Sequence, residues 1–308
     1  MTTTLLFGGQ GSQRPGMLHD WAAVPAVRSY VETASEVLGE DAWALDTSGA
    51  LQHTRAVQLS LLILQTGLAH ELQDSGVMPS YAAGHSLGAW SAAVAAGAVA
   101  FSDALRMVDI RATGMASAAP AGYGMAAVIG LSQPRLESLL EQLRAAGEEI
   151  WVANLNSAGQ TTVSGSSSAL ERLESAAAAA GAQRLVRLEV AVPAHSPLMR
   201  SAREKLGEAM ADVPLGRPLF PLLSNTTGRM IRTASQVRED LIYATDRPVQ
   251  WRMGIAALSE RRVTNWVQVS PGSNLIGLLR DVKGEAQAWC TDNAGLDGTV
   301  TKITRQPE

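Results

Sequence analysis

Ala82-Ala83-Gly84-His85-Ser86-Leu87-Gly88-Ala89 decides how this chain is read. It contains Gly-x-Ser-x-Gly, with a short apolar run before it and a helix of small residues after it, from Ala89 to Gly97. In a nucleophile elbow of this form the serine sits on a strained turn between a strand and a helix. The two glycines keep side chains off the strand and the helix that meet there. Ser86 then stands at a helix N-terminus, where free N–H groups and the helix dipole favour a developing negative charge. Five letters alone fit an ordinary Gly/Ser turn equally well, so the surroundings must decide.

The whole chain sets outer bounds. Its 308 residues, 46% apolar and 18% charged, suit one large domain or two unequal ones around a sizeable core. A net charge of −4 does not suit a nucleic-acid surface. Cys290 is the single cysteine, so no internal disulfide and no thiolate metal cluster can form, as expected in a reducing cytoplasm. No run approaches a membrane span and no signal-type segment opens the chain. The expectation is a cytoplasmic protein with no metal and no membrane or nucleic-acid partner.

Upstream of the elbow, Thr3–Phe7 reads as a strand, followed by the loop Gly8-Gly9-Gln10-Gly11-Ser12-Gln13. Three glycines in four residues let a backbone approach a ligand, or simply join strand to helix. No Gly-Lys-Ser/Thr follows, and the glycines lack dinucleotide-binding spacing. Helices are expected over Trp21–Leu38 and Gln58–Leu72, the second more apolar, and a strand over Ser80–Ala83. Downstream, Ser102 reads as an N-cap with Asp103 in the first turn of a helix to about Ala116. Ala104, Met107, Val108 and Met115 make its apolar stripe, and Arg111 lies on that stripe. An inward arginine needs an anion, because an unpaired buried charge is costly. Either a buried Asp or Glu or a substrate carboxylate held by the guanidinium fork would serve.

From Gly122 to Val192 the texture changes. Strands over Met125–Ile129, Ile150–Asn154, Thr161–Ser164 and Arg184–Val190 alternate with helices over Gln133–Ala145 and Ser168–Ala180. The order β-α-β-β-α-β is the ferredoxin-like split pattern. Residues 122–192 therefore read as a small domain inserted into a larger one, 1–121 and 193–308. Asn154 to Gln160 is either a tight turn or a set of amides facing a cleft, Asn156 and Gln160 among them. Pro193 and Pro197 flank His195 at two positions' distance, making it rigid, and Ser196-Pro197 read as N-cap and N1 of a helix through Met210. Further strands are expected over Leu219–Leu223, Asn265–Val269 and Ala286–Cys290, with a helix over Val237–Ala244 and a polar tail from Thr301.

Serine is a weak nucleophile until a base takes its proton. Of the five histidines, His195 has the rigid flanks; His85 adjoins Ser86, but side chains diverge at a sharp elbow, so it is expected to support the turn. An oxyanion hole contributes about 3–4 kcal/mol per donor. The N–H of Leu87, just after the nucleophile, is the natural first donor, and the glycine loop at Gln10 offers the second. No Asp or Glu between Ser86 and His195 sits in a recognisable triad motif, which weakens the plain esterase reading, a serine thioesterase or esterase remaining an alternative; a backbone carbonyl could orient the histidine instead. A catalytically silent docking subunit is the reading that needs no chemistry at Ser86.

Taken together, these motifs resemble the malonyl-CoA:acyl-carrier-protein transacylase family. The pieces are Gly9–Gln13, Gly84–Gly88, Arg111 twenty-five residues after Ser86, Asn156 to Gln160, His195–Met199, Pro248-Val249-Gln250-Trp251 and Pro271-Gly272, in family order along nearly the whole chain. The resemblance implies an α/β fold, with an α/β-hydrolase-like large domain and the inserted ferredoxin-like one. It implies Ser86 as nucleophile, His195 as its base, Arg111 as the clamp on the free malonyl carboxylate, and Gln10 and Leu87 as oxyanion donors. A backbone carbonyl at Ala244 would orient the histidine. Malonyl-CoA is then the substrate, with no permanently bound cofactor, and an acyl-carrier protein with a phosphopantetheine-type arm is the partner. Thr54–Leu59, Gln13–Met17 and Tyr123–Ala126 look most like the acyltransferase (epsilon) subunit of malonate decarboxylase. The fatty-acid-synthesis transacylase is the alternative.

Overall fold

The computed structural model describes residues 2–118, 121–190, 192–280, 282 and 284–304. It opens with β1 (Thr3–Phe7), buried along its whole length. The helices α1 (Pro25–Leu38) and α2 (Thr54–Asp74) follow, then β2 (Tyr81–Gly84), α3 (Gly88–Ala95) and α4 (Phe101–Ala118). The middle of the chain holds β3 (Tyr123–Ile129), α5 (Gln133–Ala145), β4 (Ile150–Ser157), β5 (Gln160–Ser166), α6 (Ser167–Ala179) and β6 (Arg184–Arg187). The remaining elements are α7 (Arg200–Ala209), β7 (Leu222–Leu223), β8 (Met230–Ile231), α8 (Ala234–Tyr243), α9 (Trp251–Ser259), β9 (Asn265–Val269), α10 (Asn274–Leu278), β10 (Gln287–Cys290) and α11 (Thr291–Thr304).

Six strands form a mixed sheet in the order β10-β9-β1-β2-β7-β8, parallel throughout except for β8. Helices cover both faces, so the central strands are apolar on both sides, as Leu5, Leu6, Phe7, Val267 and Val269 are. One core packs α1, α2, α3 and α4 against the sheet; the other lies under α9 and α10. Phe7 is level with both Gly84 and Val269. The loops after β1, β2 and β9 therefore leave one edge of the sheet side by side, where ligands bind in open parallel sheets.

The second sheet has the order β4-β5-β3-β6 and is antiparallel throughout, with α5 and α6 packed on its apolar face. This is the strand order expected of the split β-α-β-β-α-β pattern. Val249 joins it to the rest of the chain: its N–H donates to Ala153 O (2.8 Å), and its carbonyl accepts from Leu155 N–H (2.9 Å). A separate apolar cluster of Met115, Met125, Ala153, Val192, Ala194, Met199 and Ala202 fills the junction of α4, this sheet and the His195 segment.

Several boundaries differ from those the sequence implies. Trp21 belongs to a short 3-10 turn, and the first helix starts at Pro25. α2 begins four residues before Gln58. α4 begins at Phe101, so Ser102 lies inside the helix and does not cap it. β6 stops at Arg187, three residues short. The Ser196 hydroxyl donates to Pro193 O (2.6 Å) and leaves the helix uncapped; a 3-10 turn, Pro197–Met199, leads into α7. Most of Leu219–Leu223 is not strand, and the two-residue β8 carries too little sequence to be read. The polar tail from Thr301 is helical through Thr304, and 305–308 lies outside the described residues. α11 is broken by a kink at Gly295, φ 67°, so neither short half shows a sustained helical period in the sequence. Among the described residues no helix is long and apolar enough to cross a membrane.

Candidate active site

The elbow is built by close backbone contact. A Cβ on Gly84 would lie 2.1 Å from backbone atoms of Gly88, and one on Gly88 would lie 2.1 Å from Phe7 O. Only glycine lets β1, β2 and α3 meet this tightly. Ser86 between them has φ 54°, a left-handed conformation that costs a residue with a side chain and needs support from outside. Asn225 supplies it. Its Oδ1 accepts the Ser86 N–H (2.8 Å), and its Nδ2 donates to Gly84 O (2.8 Å). Asp240 in turn fixes the Asn225 turn, accepting the N–H groups of Asn225 and Thr226 (2.9 Å each) and the Ser224 hydroxyl (2.6 Å).

His195 also has a positive φ, 59°, and is 2% exposed. Its Nδ1 lies 2.6 Å from Ala244 O. A carbonyl only accepts, so Nδ1 carries the proton and Nε2 is left as an acceptor. Nε2 is 2.8 Å from Ser86 Oγ, which donates to it. Burial, with the positive charge of Arg111 as the next cause, pushes His195 down to about 3, so at physiological pH the imidazole is neutral and its Nε2 carries an open lone pair.

Arg111, on α4, is 2% exposed. Its Nη2 donates to Ser86 Oγ (3.3 Å), and its Nη1 donates to Gln58 Oε1 on α2. Among the described residues no carboxylate comes within ion-pair distance of it. Of the two partners open to it from sequence, the internal Asp or Glu is thus absent, and the guanidinium faces the serine with its charge unmatched. Burial lowers it to about 10, still protonated at neutral pH.

Ser86, His195, Arg111, Gln10, Leu87 and Gln58 line one cavity of about 60 Å³. Among the described residues no protein acceptor takes the N–H of Gln10 or of Leu87. The Gly9 backbone presses on the elbow: a Cβ there would sit 2.7 Å from His85 O. This cavity adjoins a larger one of about 570 Å³, lined by the glycine loop, Asn154, Asn156, Gln160, Arg187 and α10. Asn156 and Gln160 thus face a cleft. His85 points away from the Ser86 hydroxyl's partners: its Nε2 donates to Asn156 Oδ1 (3.0 Å) and its ring meets Trp251 edge-on at 5.2 Å. Burial lowers its pKa.

Every residue singled out from sequence borders this connected space or, for Ala244, contacts His195 from behind. Asn225, Asp240 and Gln58 escaped notice. Ser224–Gly228 has only the letters of a turn, and Gln58 stands out only as the start of an apolar helix and as part of Thr54–Leu59. Their side chains matter because of partners 139 and 53 residues away, a relation that local pattern does not carry.

A serine on an elbow, hydrogen-bonded to a histidine base and bordering the same cavity as Gln10 and Leu87, is the arrangement of an acyl-transfer site. Residues 4–291 match the acyl transferase domain family, and the chain belongs to it. The malonyl CoA-acyl carrier protein transacylase of Salmonella typhimurium is 37% identical over 304 residues, covering 96% of this chain and 98% of that one. The solved malonyl CoA-acyl carrier protein transacylase of Coxiella burnetii superposes with a TM-score of 0.93 at 32% identity, covering 99% and 98% of the two chains. A malonyl-transacylase solved in complex with its type II PKS acyl-carrier protein gives 0.93 at 34%, covering 99% and 100%. These relatives carry the transacylase name, not that of a decarboxylase subunit, and so favour the alternative expectation over the malonate decarboxylase one.

Proposed function

We propose that this protein is a malonyl-CoA:acyl-carrier-protein S-malonyltransferase of the fatty-acid-synthesis type, working through a malonyl-Ser86 intermediate. The observation that carries the proposal is Arg111, a buried guanidinium 3.3 Å from Ser86 Oγ, with no carboxylate partner among the described residues. It takes the free carboxylate of the malonyl group, which places the thioester carbonyl at the serine. His195 Nε2 accepts the Ser86 proton as Oγ attacks, and the Ala244 carbonyl holds the ring in the required tautomer. The Leu87 and Gln10 N–H groups receive the oxyanion. The C–S bond breaks, and the departing CoA sulfur takes the proton from Nε2. In the second half-reaction the carrier thiol gives its proton to Nε2 and its sulfur attacks the ester; Ser86 leaves and recovers the proton. No metal or resident cofactor takes part in these steps.

The names of the relatives support an acyl-carrier protein as acceptor, with the same thiol-tipped arm as CoA. Residues 122–192 act in this reading as an inserted unit that closes one side of the cleft. The test is mass spectrometry of the intact chain after incubation with malonyl-CoA, followed by addition of purified fatty-acid-synthesis carrier. Malonylation mapped to Ser86 and discharged to the carrier thiol is expected. Discharge mainly to water would make it a thioesterase, and no adduct would leave a docking subunit. Discharge only to a malonate decarboxylase carrier would restore that assignment.

A further inference from the structure

Gln58 lies on α2, 1% exposed, and its Oε1 accepts from Arg111 Nη1, while its Nε2 points at Met115 Sδ 3.7 Å away. The same pair of helices treats Arg55 differently. Arg55, three residues before Gln58, pairs with Asp109 on α4 (2.5 Å) and with Glu40 (2.7 Å). A carboxylate can therefore be placed between α2 and α4, and one is, two residues before Arg111. At Arg111 itself the acceptor is an amide. An amide oxygen orients a guanidinium as a carboxylate does but adds no charge.

We propose that Gln58 is a specificity-determining residue, a neutral acceptor that aims the Arg111 guanidinium at the acyl pocket while leaving its charge free for an anionic acyl group. The inference rests on the malonyl-transfer reading and adds the reason an acid at position 58 is excluded. A Glu there would reach the same nitrogen and compete with the substrate carboxylate for one positive charge at short range and low effective dielectric. Neutral acyl donors, which do not use that charge, would suffer less.

The experiment measures kcat/KM for acylation of Ser86 in the full chain by malonyl-CoA and by acetyl-CoA, in wild type, Gln58→Glu and Gln58→Met. In Gln58→Glu the malonyl-to-acetyl ratio is expected to fall by about tenfold or more, mainly through KM for malonyl-CoA. Gln58→Met keeps the length and the free charge but loses the aiming bond; its loss should be smaller, fall on kcat, and change the ratio by less than about threefold. Parallel loss of both donors in Gln58→Glu, with the ratio unchanged, would overturn the proposal and leave Gln58 a packing residue. A ratio falling as far in Gln58→Met as in Gln58→Glu would overturn the charge argument equally. Should Gln58→Glu fail to fold, Gln58→Asp introduces the same charge on a shorter arm and is judged by the same ratio. Wild type is measured first: no malonyl adduct there would remove the parent reading, an outcome distinct from an unchanged ratio in the variants.

Discussion

Ser86 Oγ stands between two groups of opposite use: it donates to His195 Nε2 and accepts from Arg111 Nη2. Arg111→Ala should cost malonyl transfer about a hundredfold or more while acetyl transfer falls far less, because only the diacid uses the guanidinium. Equal losses, measured as kcat/KM for the two donors, would remove the selectivity. The same charge acts on the base. In the free protein His195 is lowered to about 3, so kcat/KM should show no acid limb near the ordinary histidine value of about 6.5 and should stay level well below it. Removing Arg111 takes away one lowering cause while burial remains, so in Arg111→Ala any acid limb moves to higher pH, read from the pH dependence of acetyl transfer.

At the level of elements, the elbow works because two strands and a helix share a space that admits no side chain. Gly88→Ala would drive a methyl into Phe7 O, and neither β1 nor α3 can yield without moving the nucleophile. A loss of about 3 kcal/mol or more is expected, seen as a lowered denaturation midpoint together with lost Ser86 labelling. Asn225→Ala leaves the sheet intact but strips the Ser86 N–H of its acceptor, at a cost of about 1–3 kcal/mol. There the labelling rate should drop more than the midpoint does, since the left-handed turn loses its support. The Gly-x-Ser-x-Gly spacing was legible because such packing forces the residue types. Asn225 was not, because any turn from Ser224 to Gly228 would show the same letters, and its role depends on Asp240 and on an elbow 139 residues away.

Across the whole molecule, the site joins the two sheets by backbone contacts, from Ala153 and Leu155 to Val249, then from Gln250 N–H to Asn225 O (2.7 Å) and so to Ser86. Two neutral histidines lie in this join, and burial lowers both, His195 to about 3. The unfolded chain, with ordinary histidines, binds protons more readily than the folded one below about pH 6.5. Their contribution to stability is thus fully present above that pH and is lost as the pH falls through the window towards 3. Denaturant midpoints between pH 7 and 5 should decline, with a shallower slope in His195→Gln, whose side chain does not titrate; an unchanged slope would remove His195 from this linkage. From its sequence alone the protein's alternation of elements, its elbow motif, the split β-α-β-β-α-β order and most of the residues that border the cavity could be read, because each is imposed by local spacing, by turn geometry or by motifs in family order. Tertiary structure alone decided that Arg111 has an amide and, among the described residues, no acid beside it, and that Asn225 supports the serine. Those facts depend on which distant side chains share a desolvated space, and no local pattern encodes that.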